Sequence, residues 1–304
     1  MAYINVDEVY ILDNTGAQVD AVTDIPFKAD AGLTDAQKAQ ARANLGISAG
    51  GGGVNRNLLD NAWFTVNQRG ATGASSSSYG LDRWEGIQDG YAVNNDGSVT
   101  ITGRMRQLGD WSYVWGKTVT ISAMNTSGTV ASWTGTMAAG TYSLGSMVNV
   151  TVTSATEINF YAVSNLKAVK LELGSTSTLA QDAPPDYGTE LAKCMRYFQR
   201  IKGTSTNYAP IGLGFTTSAS SGVIAAVLVP LPVPLRATAI TVAKSGNLSL
   251  LAGSTSYTPS AITYYDHTEQ QLRLNVTASG MTAGQFCYLQ FSQSAAYIDL
   301  SADL

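Results

Sequence analysis

The stretch Lys117-Thr118-Val119-Thr120-Ile121-Ser122-Ala123 decides the fold class. Val119, Ile121 and Ala123 fall on one side of an extended chain, and Thr118, Thr120 and Ser122 fall on the other. That period-two alternation marks a strand with one buried face. Val148, Val150 and Val152 repeat it, and so do Val169, Leu171 and Leu173. Asn94-Asn95-Asp96-Gly97 is a hairpin turn signal. No stretch between Asn57 and Leu173 sustains a helical period, and Gly, Ser and Thr separate the short apolar runs. The region 55–180 therefore predicts a β-sandwich or jelly roll.

Downstream, Pro184-Pro185 closes this region and a helix is expected from Asp186 to about Ile201. Tyr187, Leu191, Cys194, Met195, Phe198 and Ile201 fall at helical spacing and form one apolar stripe. This linking helix occupies 181–203. From 204 to 304 the pattern is all-β again, with strands expected at 222–229, 238–242, 272–276, 286–291 and 296–300. The first of these contains the longest apolar run in the chain, Val223 to Val229. It reads as a strand buried on both faces. Pro230, Pro232 and Pro234 then force an extended edge.

Upstream, Ser48 to Gly53 reads as a flexible Gly-rich linker. Before it, Thr34 and Gln37 form a capping-box pattern and Gly46 sits where a helix-terminating glycine belongs. The residues between predict a short helix within 33–54, with Ala36, Ala39 and Ala43 as its apolar face. Small side chains gain little from burial within one chain and allow close approach between copies. Residues 1–32 read as a hairpin around Asp13-Asn14-Thr15-Gly16, too small to stand alone in water. It is expected to dock on another protein or another copy. The expected architecture is thus mainly β: an attachment hairpin and short helix, a central jelly roll, a linking amphipathic helix and a C-terminal β-sandwich.

Composition narrows the function. The chain has 304 residues, a formal net charge of -4 and only 13% charged residues, against roughly 25% in an average soluble protein. An acidic chain is a poor partner for phosphate backbones, so no nucleic acid is expected. One histidine and two cysteines exclude a His-rich metal centre, most Cys/His zinc sites and a disulfide scaffold. The opening MAYINVDEVY has no basic or apolar leader, and a seven-residue apolar run is far short of the about 20 a spanning helix needs. Neither a secretory signal nor membrane insertion is expected, and no cofactor or metal.

Candidate binding residues are aromatic. Trp84, Trp111, Tyr113 and Trp115 lie in the central region, and Trp111 to Trp115 read as a strand with three aromatics on one face. Their rings suit stacking on sugars, and core or intersubunit packing is the weightier alternative. Tyr257, Tyr264, Tyr265, Asp266 and His267 mark a polar, aromatic loop in the distal region, a natural place for a host contact or for tyrosines that shield a sheet edge. Asp82, Glu85, Asp89 and Asp96 offer carboxylates for a glycosidase pair or a calcium site, but their spacing matches no known metal loop and they read as structural polar contacts. His267 has no nucleophile-elbow serine to serve, and Gly50 to Gly53 is not a phosphate loop. Cys194 reads as a packed free thiol, and no catalytic residue is assigned.

Several stretches resemble the tail-fibre and spike proteins of tailed bacteriophages. LTDAQKAQARANLGI (Leu33 to Ile47) looks like a capped-helix module of fibre N-terminal regions. NLLDNAWFTVNQRG (Asn57 to Gly70) with YGLDRW (Tyr79 to Trp84) is similar to the opening of a fibre jelly roll related to carbohydrate-binding modules. VKLELGSTSTLAQDAPPDYGTELAKCMRYFQRI (Val169 to Ile201) looks like its close, and AAYIDLSADL like a fibre C-terminal strand. The resemblance implies a non-enzymatic virion protein, assembled in the host cytoplasm. It implies a homotrimer held through residues 1–32 by another virion protein of the tail, baseplate, collar or portal region, with the distal domain presented to a host cell-surface glycan. Ala36, Ala39, Ala43, Leu191, Met195 and Phe198 are then the expected trimer interface, and Trp84, Trp111, Tyr113, Trp115, Tyr264, Tyr265 and His267 the candidate carbohydrate contacts. The competing readings are a carbohydrate-binding module free of any virion and a capsule depolymerase.

Overall fold

The computed structural model describes residues 55–203, 208–219, 222–236, 240–293 and 295–303. The expected hairpin at 1–32 and the alanine helix with Ala36, Ala39 and Ala43 lie outside the described residues.

Mainly β structure follows from the alternating pattern. The front sandwich contains β1 (Gly73–Ala74), β2 (Ser78–Tyr79), β3 (Glu85–Ile87), β4 (Tyr91–Val93), β5 (Val99–Leu108), β6 (Thr118–Asn125), β7 (Val130–Thr136), β8 (Gly140–Leu144), β9 (Val148–Ser154) and β10 (Glu157–Leu173). The 17-residue β10 is its spine. One edge of β10 pairs with β5 from Glu157 to Leu166. The other pairs with β9 over Glu157 to Tyr161 and then with β6 over Leu166 to Leu173. Register shifts between Tyr161 and Ala168 mark where the strand leaves one set of partners for the other; bulges of this kind bend a strand. Val119, Ile121, Val150, Val152, Val169 and Leu171 all point into one core. The Asn94–Gly97 stretch forms the expected turn between β4 and β5, with Asn94 N–H donating to Ser98 O at 2.8 Å and Gly97 at φ +79°.

The Asn57–Gly70 and Tyr79–Trp84 stretches close this core. Leu58 N–H donates to Leu171 O and Val169 N–H to Ala62 O, so the chain around 57–62 runs beside β10 in place of a strand. The Asn57 side chain brackets β10, donating to Val169 O and accepting from Leu171 N–H. Asn61 lies wholly buried and ties three segments together. Its amide donates to Val66 O and Asp82 O, its side-chain oxygen accepts from Val66 N–H, and its carbonyl accepts from Trp84 Nε1. Asn61, Phe64 and Arg83 all adopt left-handed φ, at 49°, 58° and 73°. Such backbone is costly for non-glycine residues and persists where surrounding bonds enforce it.

Helix α1 spans Tyr187–Met195, capped by Asp186, whose carboxylate accepts from Thr189 N–H at 2.8 Å. The expected helix to Ile201 is therefore too long. Phe198–Lys202 forms strand β11. Aromatic, Gln, Arg and Ile residues there satisfy a period of 2 as well as 3.6, and the C-terminal strand supplies the pairing that decides between them. The boundary drawn at 203 accordingly cuts off a strand of the rear sandwich.

The rear sandwich continues with β12 (Ala209–Ala219), β13 (Gly222–Pro230), β14 (Thr241–Ser245), β15 (Leu248–Ala252), β16 (Thr255–Tyr257), β17 (Ala261–His267), β18 (Gln271–Thr277), β19 (Phe286–Phe291) and β20 (Tyr297–Ser301). A seven-stranded sheet runs β16-β15-β19-β12-β13-β18-β17, and a three-stranded one β11-β20-β14. Ala225, Val227, Val229, Leu272, Leu274, Leu289 and Ile298 meet in the core between them. β13 is not buried on both faces as its apolar run predicts. Ala225, Val227 and Val229 are buried, while Leu228 is 48% exposed and Ile224 and Ala226 are partly exposed.

The helical stripe also differs from expectation. Within the helix Cys194 is the stripe's buried member, beside the buried Glu190, which is not part of the stripe; Leu191 and Met195 are half-buried. Phe198, an expected trimer contact, is buried within its own chain, with the Arg69 guanidinium 3.6 Å from its ring centre. Cys194 is a free buried thiol whose pKa burial pushes well up, and Cys287 is likewise free, its thiol pushed up by burial to about 11.

Candidate ligand pocket at the edge of the rear sheet

In β18 the alternation Leu272-Arg273-Leu274-Asn275-Val276 buries the three apolar residues fully and turns Arg273 and Asn275 to the outer face. The edge strand β17 pairs with it, with an irregularity between Tyr264 and Asp266 that leaves Tyr265 as the extra residue. This bulge changes which residues face out. Tyr264 packs toward the core, Tyr265 is 57% exposed, and His267 stands opposite the buried Leu272. The stretch is thus a bulged strand, not the loop its composition predicts.

The result is an open pocket of about 200 Å³ lined by Leu228, Tyr265, Asp266, His267, Thr268, Gln271 and Arg273. The Arg273 guanidinium lies over the Tyr265 ring at 4.0 Å from its centre. Its Nε is buried and has no hydrogen-bond partner among the described residues. Asp266 accepts from His267 N–H at 2.7 Å, and the Tyr264 hydroxyl pairs with His267 Nδ1 at 2.9 Å. Burial first, and the Asp266 charge second, raise the Tyr264 pKa, so Tyr264 stays a neutral phenol. A flat ring beside a cation, a carboxylate and an amide offers an apolar face with donors and acceptors of both kinds. That combination fits a polyhydroxylated ligand.

Of the expected sugar contacts, the structure brings Tyr265 and His267 to this pocket with Tyr264 behind them. Tyr257, on β16, lies at the opposite edge of the same sheet. Arg273, Gln271, Thr268 and Leu228 escaped the sequence reading because they come from other strands and a turn. The period-two pattern of β18 does turn Arg273 outward, but only the register places it opposite Asp266.

The central tryptophans are mostly structural. Trp84 is fully buried, edge-on to Phe64 and Phe160 at 5.7 and 5.8 Å, with Nε1 bonded to Asn61 O. Trp111 is buried with Nε1 bonded to Leu58 O at 3.1 Å. Both are core residues, because buried indoles need an acceptor and each finds a backbone carbonyl. The run Trp111–Trp115 is a short 3₁₀ turn over Ser112–Val114, not a strand, so its three aromatics do not share a face. Only Tyr113 and Trp115 reach solvent, at 53% and 37% exposure. Trp133 stacks on Tyr142 with ring centres 3.8 Å apart.

Of the clustered carboxylates, Asp82, Glu85 and Asp96 serve internal contacts, while Asp89 is exposed. Asp82 accepts from Arg69 and from Gln68 N–H, both at 2.8 Å. Burial nevertheless pushes its pKa up to about 6. Glu85 pairs with Arg106 at 2.6 Å, and Asp96 holds Ser98 in the hairpin turn. Among the described residues no group of three or more His, Cys, Asp or Glu is placed to hold a metal ion, and no helix is long and apolar enough to cross a membrane. Set against models of known families, curated proteins and solved structures, the chain matches none of them.

Proposed function

We propose that the chain is a structural fibre or spike protein of a tailed bacteriophage virion. It is homotrimeric and non-enzymatic, held through residues 1–32 by another virion protein, and it offers its rear sandwich to a host-surface glycan. The pocket of Tyr265, Asp266, Gln271 and Arg273 carries this reading, since it joins a stacking ring to polar groups at an exposed sheet edge. The latch between the two sandwiches lends support, because an adhesive tip must transmit force without hinging. Arg69 bridges Asp82 of the front sandwich to Asp303 at the chain end, and Gln68 Nε2 donates to Phe198 O at 2.8 Å.

The test is a glycan array of bacterial surface polysaccharides probed with the full-length protein, beside sedimentation analysis and an assay for new reducing ends. A species near three chain masses that binds a polysaccharide without cleaving it supports the proposal. A glycan-binding monomer favours a free lectin, and release of reducing ends makes it a depolymerase.

A further inference from the structure

The strands β12 and β13 are built inside out for a surface exposed to water. After an irregularity between Pro210 and Gly212, β12 turns Gly212, Gly214 and Thr216 inward and Leu213 and Phe215 outward. The inward glycines have no room for a side chain: a Cβ on Gly214 would run into the Ala226 carbonyl, and one on Gly212 into that of Leu228. Side-chain bulk on this strand therefore goes outward. Leu213 is 56% exposed and Phe215 60%. Their cross-strand neighbours continue the patch. Leu213 stands opposite Leu228 on β13, and Phe215 opposite Phe286 on β19. The two phenyl rings meet edge to face at 5.6 Å, and Phe286 is 51% exposed. A run such as Val223 to Val229, apolar at every position, is the pattern of a strand covered on both sides. This chain covers one.

We infer that the outer face of the seven-stranded sheet, centred on Leu213, Phe215, Leu228 and Phe286, is where copies of this chain meet, each turning the same face toward a common axis. The inference rests on the homotrimer reading and names its surface. The patch centre holds no charge, so like faces do not repel one another. Among the described residues of the seven strands the flanking cation is Arg273, which stands opposite Asp266 across the strands. The described residues of these strands offer no basic rim to a lipid surface or a polyanion. The four central side chains expose on the order of 100 Å² each, or about 400 Å², against roughly 800 Å² per partner in a stable interface. Ile224, Ala226 and Tyr288, partly exposed on the same strands, extend the patch. Sheet faces pack on one another about 10 Å apart when their side chains interdigitate. The helical stripe offers less, since its Phe198 is already enclosed by its own chain. Leu228 also lines the pocket, so the pocket lies at the margin of this face.

The test is native mass spectrometry and sedimentation velocity on the full-length chain, its Phe215→Asp variant and its Ala226→Arg variant. Ala226→Arg adds a charge while removing no large apolar group, and far-UV circular dichroism checks that each variant keeps its β signature. The expected result is a wild-type assembly of three 31.9 kDa chains and loss of that assembly to single chains in either folded variant. A wild-type assembly that persists in a folded variant overturns this surface while leaving the homotrimer reading intact. A monomeric wild type overturns both.

Discussion

The guanidinium of Arg69, in the front sandwich, stacks 3.6 Å from the ring centre of Phe198, in the first strand of the rear one. The same group is ion-paired to Asp82 and to Asp303. Arg200 adds to the joint, donating from Nη1 to Arg69 O at 2.7 Å while its other nitrogens hold Asp299. Removing Arg69 leaves Asp82 buried without its cation. Arg69→Ala should cost about 3–5 kcal/mol and separate the unfolding of the two sandwiches. Calorimetry should then show two transitions in place of one. A single transition at the wild-type temperature would show that Arg69 is not what couples them.

Asp82 makes stability depend on pH in an unusual direction. Its folded pKa, about 6, lies above its unfolded value of 3.8. Between those values the folded chain holds a proton that the unfolded chain has released. Stability from this group is therefore greatest below the unfolded pKa and falls as pH rises toward 6. Relative to Asp82→Asn, the wild type should lose roughly 2–3 kcal/mol between pH 4 and pH 7. Urea titrations of both proteins across that range measure the difference. Parallel curves would refute the raised pKa.

Lys170 is a second buried charge, enclosed by the front sandwich. Its Nζ contacts Asp182 at 2.7 Å and Thr178 Oγ1 at 2.7 Å, and lies 3.6 Å from Glu172, whose carboxylate holds Thr178. The cluster pins the segment after β10 onto that strand. Lys170→Met should cost about 3–5 kcal/mol by leaving two acids unneutralised, and adding Glu172→Gln and Asp182→Asn should recover part of the loss. Denaturant midpoints read both steps. A single variant as stable as wild type would mean the cluster holds nothing in place.

Two tryptophans from the same set of candidates should behave oppositely. Trp84→Ala empties a site between Phe64 and Phe160 and should cost about 3–5 kcal/mol. Trp115→Ala, at a partly exposed turn, should stay within about 0.5 kcal/mol. Equal losses would contradict the burial described.

At the pocket, Tyr265→Ala and Arg273→Ala should each weaken glycan binding at least about tenfold, the scale of losing one good stacking or charge-assisted contact, with the melting temperature little changed. Trp115→Ala should bind as wild type. Isothermal titration with the polysaccharide identified on the array measures all three. Loss confined to Trp115→Ala would move the site to the front sandwich.

The sequence by itself determined that the chain is mainly β, that a hairpin turn falls at Asn94–Gly97, and which residues of each strand are apolar. Alternation in Val119 to Ala123 and the Asn94–Gly97 turn are local signals, set by side-chain direction and backbone sterics. It also marked Asn57 to Trp84 as a special stretch, though not that Asn61 knots it together, because hydrogen bonds across 21 residues leave no periodic trace. The tertiary structure alone decided that α1 stops at Met195, since Phe198–Lys202 suits helix or strand until β20 pairs with it. It alone decided which tryptophans are core, that Arg273 joins Tyr265 across two strands, and that only one face of the apolar β13 is covered. These are matters of register and partnership, and a single strand's pattern does not specify what lies beside it.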